Sequence, residues 1–313
     1  MTPQKIVVLA TGGTLAGTSS TAGDNVGYSA AQLGIAEILG RIPQLKGTPL
    51  VAEQVAQVDS RDMTFAIWST LAQRSAHWLA QADVAGIVIT HGTDTLEETA
   101  FFLHCVLSTS KPVVLTCAMR PATALAPDGP QNIVDAVAVA SAPGAHGVVL
   151  VCAGTIHGAI DAAKQHTYRL DAFSSGDAGP IGVVEEGAVR AWRAWPESPA
   201  GAGSAFATVV QADPARWPGV EIVMNYAGAS GAVVDALIAQ HVKGIVVAAT
   251  GNGTVHHDLE AALLRARAAG VRIVRSTRVA AGRVIPHERD LFPDSGGLSP
   301  VKARIAMLLE LLA

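Results

Sequence analysis

Two hydroxyl-bearing turns carry the chemistry in this sequence. The first is TGGT, ending in Thr14; the second is HGTDT, holding Thr93 and Asp94 side by side. A threonine hydroxyl is a poor nucleophile at neutral pH and needs a base, a stabilised charge and an oxyanion site. Lys164 follows another apolar stretch of the same half of the chain. A lysine desolvated beside a hydroxyl acquires a lowered pKa and can take its proton, and a neighbouring carboxylate such as Asp94 can hold it there. The competing structural reading of HGTDT is a helix N-cap, Thr or Asp capping the segment from Leu96. A second threonine turn of the same type takes weight from that reading. Nucleotide binding is the other chemistry that glycine-rich turns suggest. GGTLAG is not GxGxxG, no helical pattern begins at Thr14 to hold a pyrophosphate, and no GxxxxGK[ST] occurs.

Both turns must be held by strands. Ile6 to Thr11 is apolar or β-branched without polar alternation, as in a strand buried on both faces of a parallel sheet. Open α/β sheets bind ligands at the carboxyl ends of such strands. KIVVLATGGT, GIVITHGTDT and GIVVAATGNGT repeat the strand-then-Gly/Thr arrangement without a fixed period, so the chain is no solenoid. Between Thr18 and Gly27 lie ten small or polar residues, which with Tyr28 read as a lid. Ser29 is then read as the N-cap of a helix from Ala30 to about Gly40. Strands are expected at Val51–Val58, Gly86–Thr90, Pro112–Cys117, Gly147–Cys152 and Thr155–Ile160. Helices are expected from Thr64 to about Ala82, Leu96–Leu107 and Gln131–Ala140. That alternation predicts a doubly wound, mainly parallel sheet with helices on both faces, over residues 1–185. Residues 186–218, with three of the five Trp, read as a linker. A second, smaller α/β domain follows over 219–313, closed by a helix with Ser299 as N-cap and Pro300 at its first position.

Composition narrows the partners. The 313 residues are 50% hydrophobic and 15% charged, with net charge −4 and no Lys/Arg-rich run, which excludes nucleic acid and anionic membranes as main partners. No apolar run approaches the roughly 20 residues of a membrane span. MTPQK has no signal-peptide form, so the expected location is cytoplasmic, or periplasmic if a leader preceded it. Cys105, Cys117 and Cys152 lack CxxC spacing and read as buried structural thiols. His91 reads as a support for its turn. His256-His257 at a helix start are expected to point in different directions, and no HExxH or Cys/His cluster exists, so no metal is predicted.

TGGTLAG at 11–17 with HGTDT at 91–95 resembles the bacterial-type L-asparaginase and glutaminase-asparaginase family. AMRP at 118–121, DGPQN at 128–132, GNG at 251–253, RSTRV at 275–279 and LSPVKAR at 298–304 extend the resemblance over nearly the whole chain. It implies a cofactor-free amidohydrolase acting on L-asparagine, with L-glutamine as a further substrate. It also implies a homotetramer of intimate dimers, each site lying between the N-domain of one copy and the C-domain of another. By the resemblance Thr14 is the nucleophile, with Thr93 second in preference, and Tyr28 is the lid residue that bonds it. Thr93, Asp94 and Lys164 form the second triad. Ser60 and Asp94 hold the α-carboxylate and α-ammonium groups, with Gly13, Arg61, Gly92, Thr93 and Ala118 around the substrate. Glu288 is the expected acid from a partner copy, with Asp290 and Asp294 as alternatives. Arg61 departs from the family pattern, since a cation beside a substrate ammonium repels it. Thr254 replaces a common Asn. The rival readings are an ammonia-releasing amidotransferase subunit of the same fold and a non-catalytic amino-acid sensor. Both hydroxyl sets together favour catalysis over sensing.

Overall fold

The computed structural model describes residues 4–19, 21 and 24–313. The chain divides into two compact units, Met1–Val210 and Gln211–Ala313.

The first unit is built on an eight-stranded sheet. In chain order its elements are β1 (Lys5–Gly12), α1 (Ile35–Gly40), β2 (Leu50–Val58), α2 (Phe65–Leu79), β3 (Val84–Thr90), α3 (Leu96–Val106), β4 (Pro112–Thr116), α4 (Gly129–Ser141), β5 (Gly147–Cys152), β6 (Thr155–Gly158), β7 (Ala163–Lys164), β8 (Phe173–Ser174), β9 (Gly182–Glu185), β10 (Ala188–Ala191) and α5 (Ala202–Gln211), whose last residue reaches into the second unit. The sheet order is β10-β9-β6-β5-β4-β3-β1-β2, with β7 and β8 forming a separate hairpin. β2, β1, β3, β4 and β5 run parallel, while β6, β9 and β10 add an antiparallel extension.

Burial explains the unalternating strands. Ile6, Val8, Val88, Val114 and Val149 face a core completed by α1 and α4. The alternate residues Val7, Leu9, Ile87 and Ile89 are also fully buried, so the other face is covered too, with α2 against β2 and β3 and α3 against β5. At about 25 cal/mol per Å2 of apolar surface removed from water, these two-sided strands are the main source of the unit's cohesion.

Two expected boundaries differ from those observed. The helix read as starting at Ala30 begins only at Ile35, because Ala31 adopts φ 56° and the preceding amides are spent elsewhere: Ala31 bonds the Gly13 carbonyl, and Gln32 and Leu33 bond that of Ala16. The expected linker 186–218 contains β10, which pairs with β9 at the sheet edge, and the whole of α5. The alanine-rich AGSAFATVVQ forms a helix that buries Ala202 and Val209. Elsewhere the elements lie within a few residues of those expected. Thr64 caps α2 by accepting the Ile67 amide.

The second unit carries β11 (Val220–Met224), α6 (Ala232–Ala239), β12 (Gly244–Ala249), α7 (His257–Ala268), β13 (Arg272–Thr277) and α8 (Pro300–Leu312). Its strands are parallel in the order β11-β12-β13. Val223, Val234, Ile245, Leu259, Leu263, Ile273 and Phe292 form its core. Pro300 is the first residue of α8, as expected, although the Ser299 hydroxyl makes no capping bond. Among the described residues no helix is long and apolar enough to cross a membrane.

Candidate active site

In the order β3-β1-β2 the parallel strands change the side on which they are added, with β2 on one side of β1 and β3 on the other, the switch point where open α/β sheets open a crevice at their carboxyl ends. TGGT leaves β1 there and HGTDT leaves β3. Thr14 opens a three-residue 3-10 turn and is buried.

Glycine lets the two turns touch. Gly13 has φ 78°, and a Cβ on it would lie 2.4 Å from both the Cα and the amide nitrogen of Gly92. A Cβ on Gly92 would in turn meet the Ser60 hydroxyl at 2.6 Å. Three strand ends, those of β2, β1 and β3, are thereby stacked through bare backbone.

Each threonine has its own proton partner. The hydroxyls of Thr14 and Tyr28 are 2.6 Å apart. The lysine ammonium of Lys164 donates to Thr93 Oγ1 at 2.8 Å and to Asp94 Oδ1 at 2.7 Å. Burial raises the Tyr28 phenol above its ordinary pKa, opposed by the bond to Thr14, so it stays protonated at neutral pH. Tyr28 reaches Thr14 because Thr18 and Ser29 pair as a short bridge and the ring lies against Gly17, where a Cβ would be 2.8 Å from it. Of the expected lid, Ser20, Ala22 and Gly23 lie outside the described residues.

Ser60 joins the cluster by accepting the Asp94 amide on its hydroxyl and the Thr95 hydroxyl on its carbonyl. Ala118 is fully buried just past β4. Arg61 is 73% exposed and paired with its own neighbours, Asp59 at 3.4 Å and Asp62 at 3.7 Å. Its charge is therefore answered by two acids on the same turn.

Three residues outside the expected set hold this arrangement. Glu97, in the first turn of α3, accepts the Lys164 backbone amide at 2.8 Å. Behind HGTDT, the Trp68 indole donates to Thr99, whose hydroxyl is 2.9 Å from His91 Nε2, and His91 Nδ1 is 2.7 Å from the Gly92 carbonyl. Burial pushes the His91 imidazole down to about pKa 4. A neutral ring fits one proton order: indole to hydroxyl, hydroxyl to Nε2, Nδ1–H to carbonyl. The turn is thus pinned from behind by an uncharged chain. Sequence marks Glu97 only as a first-turn acid and Trp68 only as core, since nothing local ties either to the site.

The second unit holds the remaining acids. Glu288 is exposed, and among the described residues its side chain makes no hydrogen bond or ion pair. Asp290 is held 2.5 Å from the buried Arg275 guanidinium and also accepts the His287 amide, while Asp294 accepts the Gly296 amide. Thr254 closes a tight turn by bonding back to Thr250. His256 and His257 do not diverge as expected. Their rings stack with centroids 4.2 Å apart, because His256 Nδ1 turns inward to cap α7 at the Asp258 amide. With Asp258 they bring three possible ligand atoms within 4.8 Å of one another. Cys117 and Cys152 are buried free thiols with sulfurs 3.8 Å apart, whereas Cys105 is only partly buried.

Comparison with known proteins agrees with this architecture. Residues 5–197 match the family described as Asparaginase, N-terminal, and residues 219–312 match Glutaminase/Asparaginase C-terminal domain. The chain belongs to the asparaginase family. Among its relatives, a glutaminase-asparaginase of Pseudomonas fluorescens biotype A is 37% identical over 98% of this chain and 86% of its own. L-asparaginase 2 of Escherichia coli (strain K12) is 36% identical over 98% and 88%. The crystal structure of a probable cytoplasmic L-asparaginase from Campylobacter jejuni superposes with a TM-score of 0.91 at 35% identity, covering 98% of this chain and 95% of that one. TGGTLAG and HGTDT, the segments on which the sequence resemblance rests, lie at the strand ends just described.

Proposed function

We propose that this asparaginase-family chain hydrolyses L-asparagine to L-aspartate and ammonia, with L-glutamine as a second substrate. The observation that carries the reading is the pair of hydroxyls at neighbouring strand ends, each with its own proton partner: Thr14 with Tyr28, and Thr93 with Lys164 and Asp94. Binding alone requires no such duplication. The names of the relatives point the same way.

In this mechanism Thr14 Oγ1 attacks the side-chain amide carbon and its proton passes to the Tyr28 oxygen. Tyr28 is a protonated phenol, so it acts as a relay that hands on its own proton as it accepts another. Backbone amides of the glycine turns stabilise the oxyanion. The amide nitrogen takes the proton relayed through Tyr28, the C–N bond breaks, ammonia leaves, and an ester to Thr14 remains. Thr93, held by Lys164, takes a proton from water as it hands its own to the Asp94 carboxylate 3.4 Å away. The water attacks the ester, the C–O bond to Thr14 breaks with a proton returning to the Thr14 oxygen through Tyr28, and aspartate is freed. Ser60 and Asp94 hold the α-groups of the amino acid.

We further infer a homotetramer of intimate dimers in which Glu288 of another copy completes the site, since it lacks an internal partner while Asp290 and Asp294 are engaged. The likeness to the Campylobacter jejuni protein supports a cytoplasmic location.

The deciding experiment is ammonia release from L-asparagine, L-glutamine and D-asparagine side by side. Turnover is expected to be greatest on L-asparagine. Binding of L-asparagine with no ammonia from any of the three would overturn the reading in favour of a sensor.

A further inference from the structure

An apolar cleft of about 140 Å3 lies on the first unit, walled by Leu15, Leu33, Ile38 and Ile42, with Arg41 and Arg120 among its lining. Leu15, Ile38 and Ile42 are at most 7% exposed, so the walls are set by the core. The two arginines differ in state. Arg41 is paired with Glu37. Arg120 makes no ion pair among the described residues, and its guanidinium Nη1 only donates to the Ala126 carbonyl at 3.2 Å. The nearest acid in the loop, Asp128, has its carboxylate taken by the Met119 and Arg120 amides and the Asn132 side chain. Arg120 is thus a half-buried cation without a counter-charge beside an apolar cleft.

We propose that this cleft is a binding site, separate from Thr14–Lys164, for a small organic carboxylate with an apolar body. Size sets the body: an apolar cavity of about 150 Å3 accepts benzene, so this one takes a single aromatic ring or a branched aliphatic group of similar bulk. Charge sets the head, because a planar guanidinium pairs bidentately with a carboxylate, and the pairing is stronger at a partly desolvated site. Amino acids with a free ammonium fit poorly, since among the lining residues none is acidic. The site is not remote from the nucleophile. Leu15 follows Thr14 directly, a Cβ on Gly129 of the far wall would meet Leu15 Cγ at 3.0 Å, and the Ala122 amide of the lining holds the Gly17 carbonyl.

The test is calorimetric titration of the full chain with phenylacetate, with phenethylamine as the charge-reversed control. Every titration is run in saturating L-aspartate, so that carboxylate binding at the hydroxyl site is blocked. Phenylacetate is expected to bind, and phenethylamine is not. Arg120→Gln is expected to weaken phenylacetate at least about 10-fold, in keeping with loss of one charge-assisted pair. Leu33→Trp, which fills the cleft from a partly exposed wall, is expected to abolish binding while the melting temperature stays within a few degrees of the parent. Two outcomes would overturn the proposal: no phenylacetate heat at 10 mM-scale ligand in the presence of aspartate, or affinity unchanged in both variants. Because the readout is binding in the presence of product, it stands or falls independently of the amide chemistry.

Discussion

At the scale of single residues, the site is a set of short distances whose removal has unequal consequences. Thr14→Ala deletes the oxygen proposed to attack, and ammonia release from asparagine should fall at least about 10²-fold, the lower range for a positioned catalytic group. Wild-type-like turnover in that variant would remove Thr14 from its role. Arg61 presents the opposite case. Its guanidinium is exposed and shared between Asp59 and Asp62, and exposed ion pairs contribute about 0–1 kcal/mol. Arg61→Gln should therefore leave KM for asparagine within about fivefold of the parent, 1 kcal/mol being roughly a factor of five. A tenfold fall in KM would show that the cation does repel the substrate ammonium, as its place in the sequence suggests.

At the scale of elements, the question is what positions Lys164. It sits on β7, a strand of two residues paired only with β8 and outside the main sheet. The Glu97 carboxylate accepts its amide and ties that hairpin to the first turn of α3, the helix that begins just after HGTDT. Displacing a catalytic group by about 1 Å costs up to about 10²-fold, so Glu97→Ala should lower kcat by about 10-fold or more. Glu97→Gln, which keeps an acceptor oxygen, should restore most of it. If Glu97→Ala has the parent's kcat and pH profile, β7 is held by its hairpin alone. This element also marks where sequence stops being informative. The strand ends were legible because unalternating Ile/Val runs and Gly-Thr turns are local patterns, and the resemblance then supplied the residues that meet there. The Glu97–Lys164 bond joins positions 67 apart, and the Trp68–Thr99–His91 chain joins two helices to a turn. Neither leaves a periodic trace. The helix misread at Ala30 fails for a related reason: its amides satisfy the carbonyls of the nucleophile turn, a tertiary demand that local propensity does not register.

At the scale of the whole molecule, His91 and His157 are buried and held neutral in the first unit, and they contribute to how it responds to acid. His91 pins the HGTDT turn, and His157 on β6 lies 2.8 Å from the buried Ser175 hydroxyl. Burial pushes both imidazoles down to about pKa 4 from 6.5. An unfolded histidine takes up its proton near 6.5, so between that value and 4 the unfolded chain binds more protons than the folded one. Stability is therefore present above about pH 6.5 and is lost as pH falls through that window, by at most about 1.4 kcal/mol per unit for each ring. Denaturant unfolding followed by tryptophan fluorescence should show the loss between pH 6.5 and 4. His157→Asn separates this cause from carboxylate protonation. The variant should be less stable than the parent at pH 7, where the neutral ring is well placed. It should also lose less stability on acidification, because Asn has no proton to take up. Parallel slopes for parent and variant would mean that His157 is not titrating in this range. The acid sensitivity of the unit would then have to come from groups such as its ion pairs, Lys164–Asp94 at the candidate site among them.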